Sequence, residues 1–361
     1  MKVLGFGTYD VHAHPRVGVL LDGLKKRGST VVELNRPLGI GTAGRVAALS
    51  HPTQLLRFAT TLLARWCSLA MGSLHFRGSA HPDAVLVGYL GHFDVLLARA
   101  LFPRTRIVLD HLIFAADTAK DRGAGGRLRM AVLRQLDHAA LSTADVIIVD
   151  TPAHRDLVPE TLRDRVVVVP VGAPEPWFDA RRPAEAIDHP LSVVFFGLFT
   201  PLQGTPTISR ALRNAAAKRP LRITMVGTGQ DYLQSRTILG DTDVDWVDWV
   251  DSDGLPSLVG GHDICLGILG TTSKALRVVP NKVYQGMAAG CCVVTSRTTP
   301  QQEVLGDSVL WCDPGDAQGL AELLVGLEDD ELIDMRTRAA AKADASFTAQ
   351  EVVGPLVEVL A

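Results

Sequence analysis

The residues best placed to do chemistry stand together in the stretch Lys274-Ala275-Leu276-Arg277-Val278-Val279-Pro280-Asn281-Lys282-Val283-Tyr284-Gln285. Pro280 and Asn281 read as a helix start and Gly290 as its end. A helix start offers unsatisfied N–H groups and the positive end of the peptide dipole. Lys274, Arg277 and Lys282 therefore gather around a point that already attracts anions, and they would repel one another without a negative partner. A diphosphate would supply that charge. A solvated basic loop explains a lone lysine, but not three cations in a half that is otherwise acidic. Residues 1–180 hold 21 Lys+Arg against 16 Asp+Glu, a balance of +5, and the remainder holds 15 against 23, a balance of −8. Neither half is basic enough for a dedicated nucleic-acid binder.

Glycine loops are the second feature. Gly197-Leu198-Phe199-Thr200-Pro201-Leu202-Gln203-Gly204 joins an apolar run to a helical one, so backbone and helix start could both approach a phosphate. Gly227-Thr228-Gly229 and Gly5-x-Gly7 also follow apolar runs. None matches G-x-G-x-x-G or G-x-x-x-x-G-K-[ST], and each alone reads equally as a tight turn. Metal chemistry finds little support. Asp241-x-Asp243 opens an alternating run through Trp249 and Val250, as a half-exposed strand would. Asp10, His12 and His14 share a Gly/Pro loop without a second ligand pair. Cys67, Cys265, Cys291, Cys292 and Cys312 show no zinc spacing. Five cysteines without a disulfide framework suit a reducing cytoplasm.

The elements that must position these residues repeat a simple pattern. Short apolar strands are expected at Lys2–Phe6, Thr30–Glu33, Ala84–Val87, Ile107–Asp110, Val146–Val149 and Val166–Val169, with helix-compatible sequence between them. A Pro-rich, charged stretch without periodicity follows, and the pattern restarts. Strands are expected at Ser192–Phe196, Leu221–Val226, Val244–Val250, Ile264–Ile268 and Cys291–Thr295. Length and pattern give two tandem doubly wound α/β domains: an N-terminal domain over 1–174, a linker over 175–190 and a C-terminal domain over 191–345. A C-terminal helix, 346–361, is free to cross back to the first domain. Ligands of such sheets bind beyond the carboxyl ends of the strands, so two facing domains would place the site in a cleft between them. No apolar run is long enough to span a bilayer, and the start of the chain does not read as a signal peptide. Gln54 to Leu74, carrying Arg57 and Arg65, reads as an amphipathic helix packed on the core, with a membrane-surface role open.

In order along the chain, Phe196-Gly197 through Gln203-Gly204, then Val226-Gly227-Thr228-Gly229-Gln230, then Pro280-Asn281-Lys282-Val283-Tyr284-Gln285 and Ala288-Ala289-Gly290 resemble the donor-binding half of GT-B glycosyltransferases, glycosyltransferase family 4 above all. Gly7-Thr8-Tyr9 with Arg16 is similar to the glycine loop of that family's acceptor domain, and Asp110-His111 and Ala144-Asp145-Val146-Ile147-Ile148 also fit. The resemblance implies retaining transfer of a sugar from a nucleoside-diphosphate sugar to an acceptor hydroxyl, as a hexosyltransferase. The nucleotide sugar is co-substrate, and no metal or other cofactor is expected. Gly197, Thr200, Gln203, Lys274, Arg277, Asn281, Lys282 and Gln285 would hold the donor. Gly227, Trp249 and Val250 would lie near the nucleobase, and Gly7, Thr8, Tyr9 and Arg16 would form the acceptor-side loop. His111 would hydrogen-bond the sugar, and Asp117 would serve the acceptor as a base.

The sequence departs from the family where Gln285 and Arg277 replace glutamates, and where Leu198 and Gln203 replace the arginine and lysine of the first phosphate loop. A non-catalytic protein that keeps the nucleotide-sugar cleft is therefore one alternative. A dinucleotide-dependent oxidoreductase is another, disfavoured because Gly5-x-Gly7 lacks its third glycine. The acceptor is expected to be either lipid-linked or a soluble small molecule, with no nucleic-acid partner. The protein is expected to be cytoplasmic, with a peripheral contact through 54–74 on the inner membrane face as an option.

Overall fold

Runs such as Val146–Val149 and Leu191–Phe196 are buried along their whole length, as parallel strands covered by helices on both faces must be. The computed structural model describes every residue except 12–13, 40–51, 122, 124–125 and 186–188. It divides into two units, Met1–Pro170 with Ala349–Ala361, and Val171–Thr348.

The first unit contains β1 (Lys2–Gly7), β2 (Thr30–Asn35), β3 (Ala84–Val87), β4 (Arg106–Asp110), β5 (Val146–Val149) and β6 (Val166–Val168). They form a parallel sheet in the order β2-β1-β3-β4-β5-β6. Its helices are α1 (Arg16–Lys26), α2 (Pro52–Ser73), α3 (Asp94–Leu101), α4 (Ala115–Asp121), α5 (Arg127–Thr143) and α6 (Pro152–Arg155).

The second unit contains β7 (Leu191–Phe196), β8 (Leu221–Val226), β9 (Val244–Val247), β10 (Ile264–Leu266), β11 (Cys292–Ser296) and β12 (Leu310–Cys312), parallel in the order β12-β11-β10-β7-β8-β9. Its helices are α7 (Glu175–Asp179), α8 (Thr205–Ala216), α9 (Tyr232–Leu239), α10 (Leu255–Gly260), α11 (Asn281–Ala288), α12 (Thr299–Leu305), α13 (Ala317–Gly326) and α14 (Asp329–Ser346). The chain ends in α15 (Ala349–Val352) and α16 (Gly354–Leu360), which belong to the first unit.

Two layers cover the first sheet. Leu20, Leu21 and Leu24 of α1 pack with Val352, Val353 and Leu356 on one face. Gly23 is required there, since a Cβ would stand 2.0 Å from the Ala349 carbonyl oxygen. Leu69 of α2, Val95 and Ala98 of α3, and Ala140 and Leu141 of α5 cover the other face. In the second unit Phe195, Phe199, Ile208, Leu212, Leu320 and Leu324 form one continuous core.

Three sequence expectations change. The Pro-rich stretch 175–190 contains α7: Pro176 stands in its first turn, where its ring fits and no N–H is missed. Trp177 is buried there and stacks on Phe196 at 5.5 Å. The strand expected over Val244–Val250 stops at Val247, so Trp249 and Val250 lie on the loop beyond it. The last helix is two, broken at Val353 before Gly354-Pro355. The three-residue strand β12 gave no sequence signal. Among the described residues no helix is long and apolar enough to cross a membrane.

Candidate functional site

In the second unit the carboxyl ends of β7, β8 and β10 lead into three loops joined through backbone. Phe199 N–H donates to the Thr228 carbonyl at 3.0 Å, Asp231 N–H to the Phe199 carbonyl at 3.0 Å, and Leu269 N–H to the Gln203 carbonyl at 3.0 Å. Side chains would not fit: a Cβ on Gly227 would lie 2.1 Å from the Gly197 oxygen, and one on Gly270 2.2 Å from the Leu202 oxygen. The glycines read as phosphate loops thus serve first to let three loops touch. Beside them is a recess of about 260 Å³ lined by Pro201, Gly204, Asp231, Gly270 and Thr271, among others. Burial raises the Asp231 carboxyl above its ordinary pKa. A larger recess of about 580 Å³ near Arg219 and Asp329 lies at the amino ends of the strands, since Arg219 stands two residues before β8. That end of an α/β sheet is not where ligands bind.

Lys282 sits beneath Gly197. It is the second residue of α11, follows Pro280, and is 4% exposed. Its Nζ lies 3.6 Å from the centroid of the Phe195 ring and has no hydrogen-bond partner. A Cβ on Gly197, whose φ is +133°, would lie 3.2 Å from that nitrogen. Burial pushes the amine from 10.5 down to about 7. The adjacent Cys265 supplies no counter-charge, because burial pushes its thiol up to about 12. A buried cation without a partner is costly, and proteins pair such groups with an anion or leave them neutral. α11 has no side-chain cap at its start, so dipole and amine act on the same place.

The other donor-side residues divide. Gln203 Oε1 is buried without a hydrogen bond, and Gln285 is buried on α11. Thr200 lies half-buried in the turn after Gly197, and Asn281 begins α11. Lys274 and Arg277 stand half-buried on the turn before α11 and have contacts of their own. Trp249 is exposed on the loop after β9, where its Nε1 donates to Asp251 Oδ1 at 3.2 Å. Gly227 N–H donates to the Val247 carbonyl at 2.8 Å, tying that loop to the next strand.

In the first unit the residues of the expected acceptor loop have internal partners. Thr8 donates from both N–H and Oγ1 to Asp94 Oδ2, at 2.8 and 2.7 Å, and a Cβ on Gly7 would lie 3.0 Å from that oxygen. Trp66 Nε1 donates to the other carboxylate oxygen at 2.9 Å. Tyr9 is buried, and its hydroxyl donates to Glu33 at 2.7 Å. Arg16 is 1% exposed and donates to Asp110 at 2.8 Å and to the carbonyls of Pro170 and Val169 at 2.9 Å each. It closes the sheet rather than facing solvent.

His111 follows β4, and its N–H donates to the Ile148 carbonyl at 2.8 Å. Its Nε2 is buried without a hydrogen bond, 3.9 Å from Asp137 Oδ1. Burial, then His92 and His154, hold its pKa well below the ordinary histidine value, so the ring is neutral at pH 7. Asp117 lies in the first turn of α4. Sequence reasoning missed Asp94, His92 and Asp137. Asp137 accepts from the Ala115 and Ala116 N–H groups, at 2.8 and 3.2 Å, and from His92 at 3.0 Å. Its one legible sign is an acid among the inward-facing positions of α5.

Among the described residues His92, His111 and Asp137 form the one group with metal-ligand chemistry, their donor atoms within 4.8 Å of one another. Asp137 already serves three donors there. The Asp241-x-Asp243 pair precedes the edge strand β9 and brings no such group together. His12 lies outside the described residues.

The arrangement has known counterparts. Sucrose-phosphate synthase of Thermosynechococcus elongatus covers 99% of the chain with 97% of its own, at 14% identity and a TM-score of 0.69. HepE of Anabaena in complex with UDP covers 99% with 98% of its own, at 13% identity and a TM-score of 0.66. The E. coli trehalose-6-phosphate structure bound with UDP-2-fluoro glucose covers 99% with 98% of its own, at 14% identity and a TM-score of 0.66. The fold is GT-B. Residues 190–330 match the family model described as Glycosyl transferases group 1. That match lies within the second unit. No curated protein sequence matches the chain at a significant level.

Proposed function

We propose that this GT-B protein is a retaining glycosyltransferase of the family 4 type. It would move a hexose from a nucleoside-diphosphate sugar to an acceptor hydroxyl, with no metal at the donor phosphates. The observation that carries the reading is the buried, unpartnered amine of Lys282 under Gly197, at the start of α11. A departing nucleoside diphosphate gains negative charge as the glycosidic bond breaks. A fixed cation and a helix dipole in a water-poor place stabilise that charge without reorganising. The match over 190–330 and the UDP held by the Anabaena neighbour support a nucleotide in this unit. In the first unit, the neutral His111 offers Nε2 for a hydrogen bond to a sugar hydroxyl.

Gln203 and Gln285 stand where the family carries charge. Both can donate and accept hydrogen bonds, so they retain contacts to hydroxyls while shifting the phosphate charge to Lys282. Titration calorimetry with UDP, GDP, ADP and UDP-glucose tests the donor half of the proposal, and release of UDP from UDP-glucose tests catalysis. Micromolar binding of one nucleotide with turnover supports the reading. Binding without turnover on sugar, lipid or water would make the protein a non-catalytic binder, and absence of nucleotide binding would overturn the proposal.

A further inference from the structure

We propose that the first unit docks on an anionic lipid surface through the exposed side of α2 and the start of α5. α2 does not behave as a core helix. Among its described residues only Leu69 and Ser73 are buried, while Leu55, Leu56, Leu63 and Met71 are exposed, Leu56 by 67% and Met71 by 65%. At 100° per residue Leu56, Leu63, Met71 and the exposed Cys67 fall within about 80° of one another, whereas Leu55 lies with Leu69 and Trp66 on the side that meets the sheet and is exposed only near the start of the helix. The stripe runs about 22 Å along the helix, from Leu56 to Met71. Patches of this extent on a soluble protein mark an interaction surface.

The occupant is fixed by charge. The 22 residues of α2 contain Arg57 and Arg65, both exposed, and no Asp or Glu. The hydroxyls of Thr60 and Thr61 on this helix donate back to the carbonyls of Leu56 and Arg57, so they bring no unmet polar group to the stripe. α5 begins in the same way: Leu128 is 80% exposed, Val132 is exposed, Arg127 and Arg134 are exposed beside them, and its one acid, Asp137, is buried. Both helices pack on the same face of the sheet, and α3 touches both. Phe58 of α2 meets Phe93 in the loop after β3, with ring centroids 6.1 Å apart. The exposed end of α2 therefore lies at the carboxyl end of the strands, the end that also carries Thr8 and His111. An apolar stripe edged by Arg57, with Leu128 and Val132 beside Arg127, and free of exposed acids on both helices, matches an anionic bilayer interface, where the leucines enter the acyl boundary and the arginines meet headgroups. The docking is independent of the transferase reading. That the acceptor is a lipid-linked molecule delivered along this bilayer rests on that reading.

Cys67 is the single exposed cysteine of the five, so an environment-sensitive dye on it reports from the stripe itself. The full-length protein is mixed with phosphatidylcholine vesicles, with and without about one-third phosphatidylglycerol. The expected result is a blue shift and co-sedimentation with the anionic vesicles only, weakened by salt, and weakened about fivefold by Arg57→Gln. Leu56→Glu with Leu63→Glu should reduce vesicle affinity at least about tenfold, with the melting temperature and calorimetric nucleotide binding unchanged. Absence of vesicle binding, equal binding to neutral vesicles, or unaltered binding by the double variant would overturn the proposal. A dye response that rises with protein concentration without lipid, and disappears in the double variant, would assign the stripe to a second copy of this chain instead. Nucleotide binding is read separately, so loss of one conclusion leaves the other standing.

Discussion

Replacing Lys282 with Met removes the amine while keeping most of its volume, and the consequences can be worked from its surroundings. In the unfolded chain the amine titrates near 10.5, and in the folded protein burial lowers it to about 7. The folded state therefore binds fewer protons than the unfolded state between those two values, and stability rises with pH across that window. Below about 7 the amine is charged in both states, and the folded state bears the full cost of the buried charge. A fall from 10.5 to about 7 corresponds to roughly 5 kcal/mol in favour of the neutral amine, realised in full only above the unfolded value. Between pH 7 and pH 9 the gain is about 2 kcal/mol, or roughly 5 °C in the midpoint of a unit this size. Lys282→Met should lose this pH dependence and melt higher than the unmodified protein at pH 7.

Nucleotide binding should move the other way. A bound diphosphate favours the charged amine, so affinity for UDP-glucose, whose phosphates do not titrate here, should fall about fifty-fold between pH 7 and 9. The variant should bind more weakly by about 1–3 kcal/mol at pH 7 and show no such fall. Differential scanning calorimetry of both proteins across pH, with titration calorimetry alongside, reads both effects. Equal affinity of the two proteins for every nucleotide, or melting curves that differ by the same amount at pH 7 and 9, would refute the reasoning.

Three further outcomes are expected. Gly197→Ala places a Cβ 3.2 Å from Lys282 Nζ at a φ of +133°, and should cost about 1–3 kcal/mol of stability while weakening nucleotide binding, both read by thermal shift. Arg16→Met leaves Asp110 buried without its ion pair and should destabilise the first unit by about 3–5 kcal/mol; an unchanged denaturation midpoint would remove Arg16 from the sheet closure. EDTA should leave sugar transfer intact, whereas complete loss restored by magnesium would assign a role to His92, His111 and Asp137 or to the aspartates before β9.

Most strands were legible because a parallel strand covered on both faces must be apolar throughout, and such runs are short and bounded by turn residues. Leu221–Val226 was located to the residue, and Lys2–Gly7 to within one. The short helix inside the stretch 175–190 was missed because proline carries two meanings: it breaks a helix from within but starts one well, and at Pro176 the second applies. The site was legible in part. A lysine next to Pro-Asn after two glycine loops could be read along the chain, but that Lys282 alone of the three cations is buried depends on Phe195 and Gly197, distant in sequence. The internal engagement of Arg16, Tyr9 and Thr8 was hidden for the same reason, since their partners Asp110, Glu33 and Asp94 lie 94, 24 and 86 residues away.

Lys282 contrasts with the paired buried charges of the first unit, and this contrast supports the proposal that the donor binds the second. In the first unit, Asp94 takes Thr8 and Trp66, Asp137 takes His92 and two backbone donors, and Arg16 is met by Asp110 and two carbonyls. Those bonds close loops and fix strand ends, so removing them should cost stability. In the second unit a charged group is buried with an aromatic ring beneath it, a glycine above it and no hydrogen-bond partner. Such a group lowers the stability of the empty protein at neutral pH, and it is retained at the helix start where the dipole also calls for an anion. A structural role would have supplied a carboxylate from the protein. Binding of an external anion accounts for the missing partner, the small residue above it and the position on the helix together.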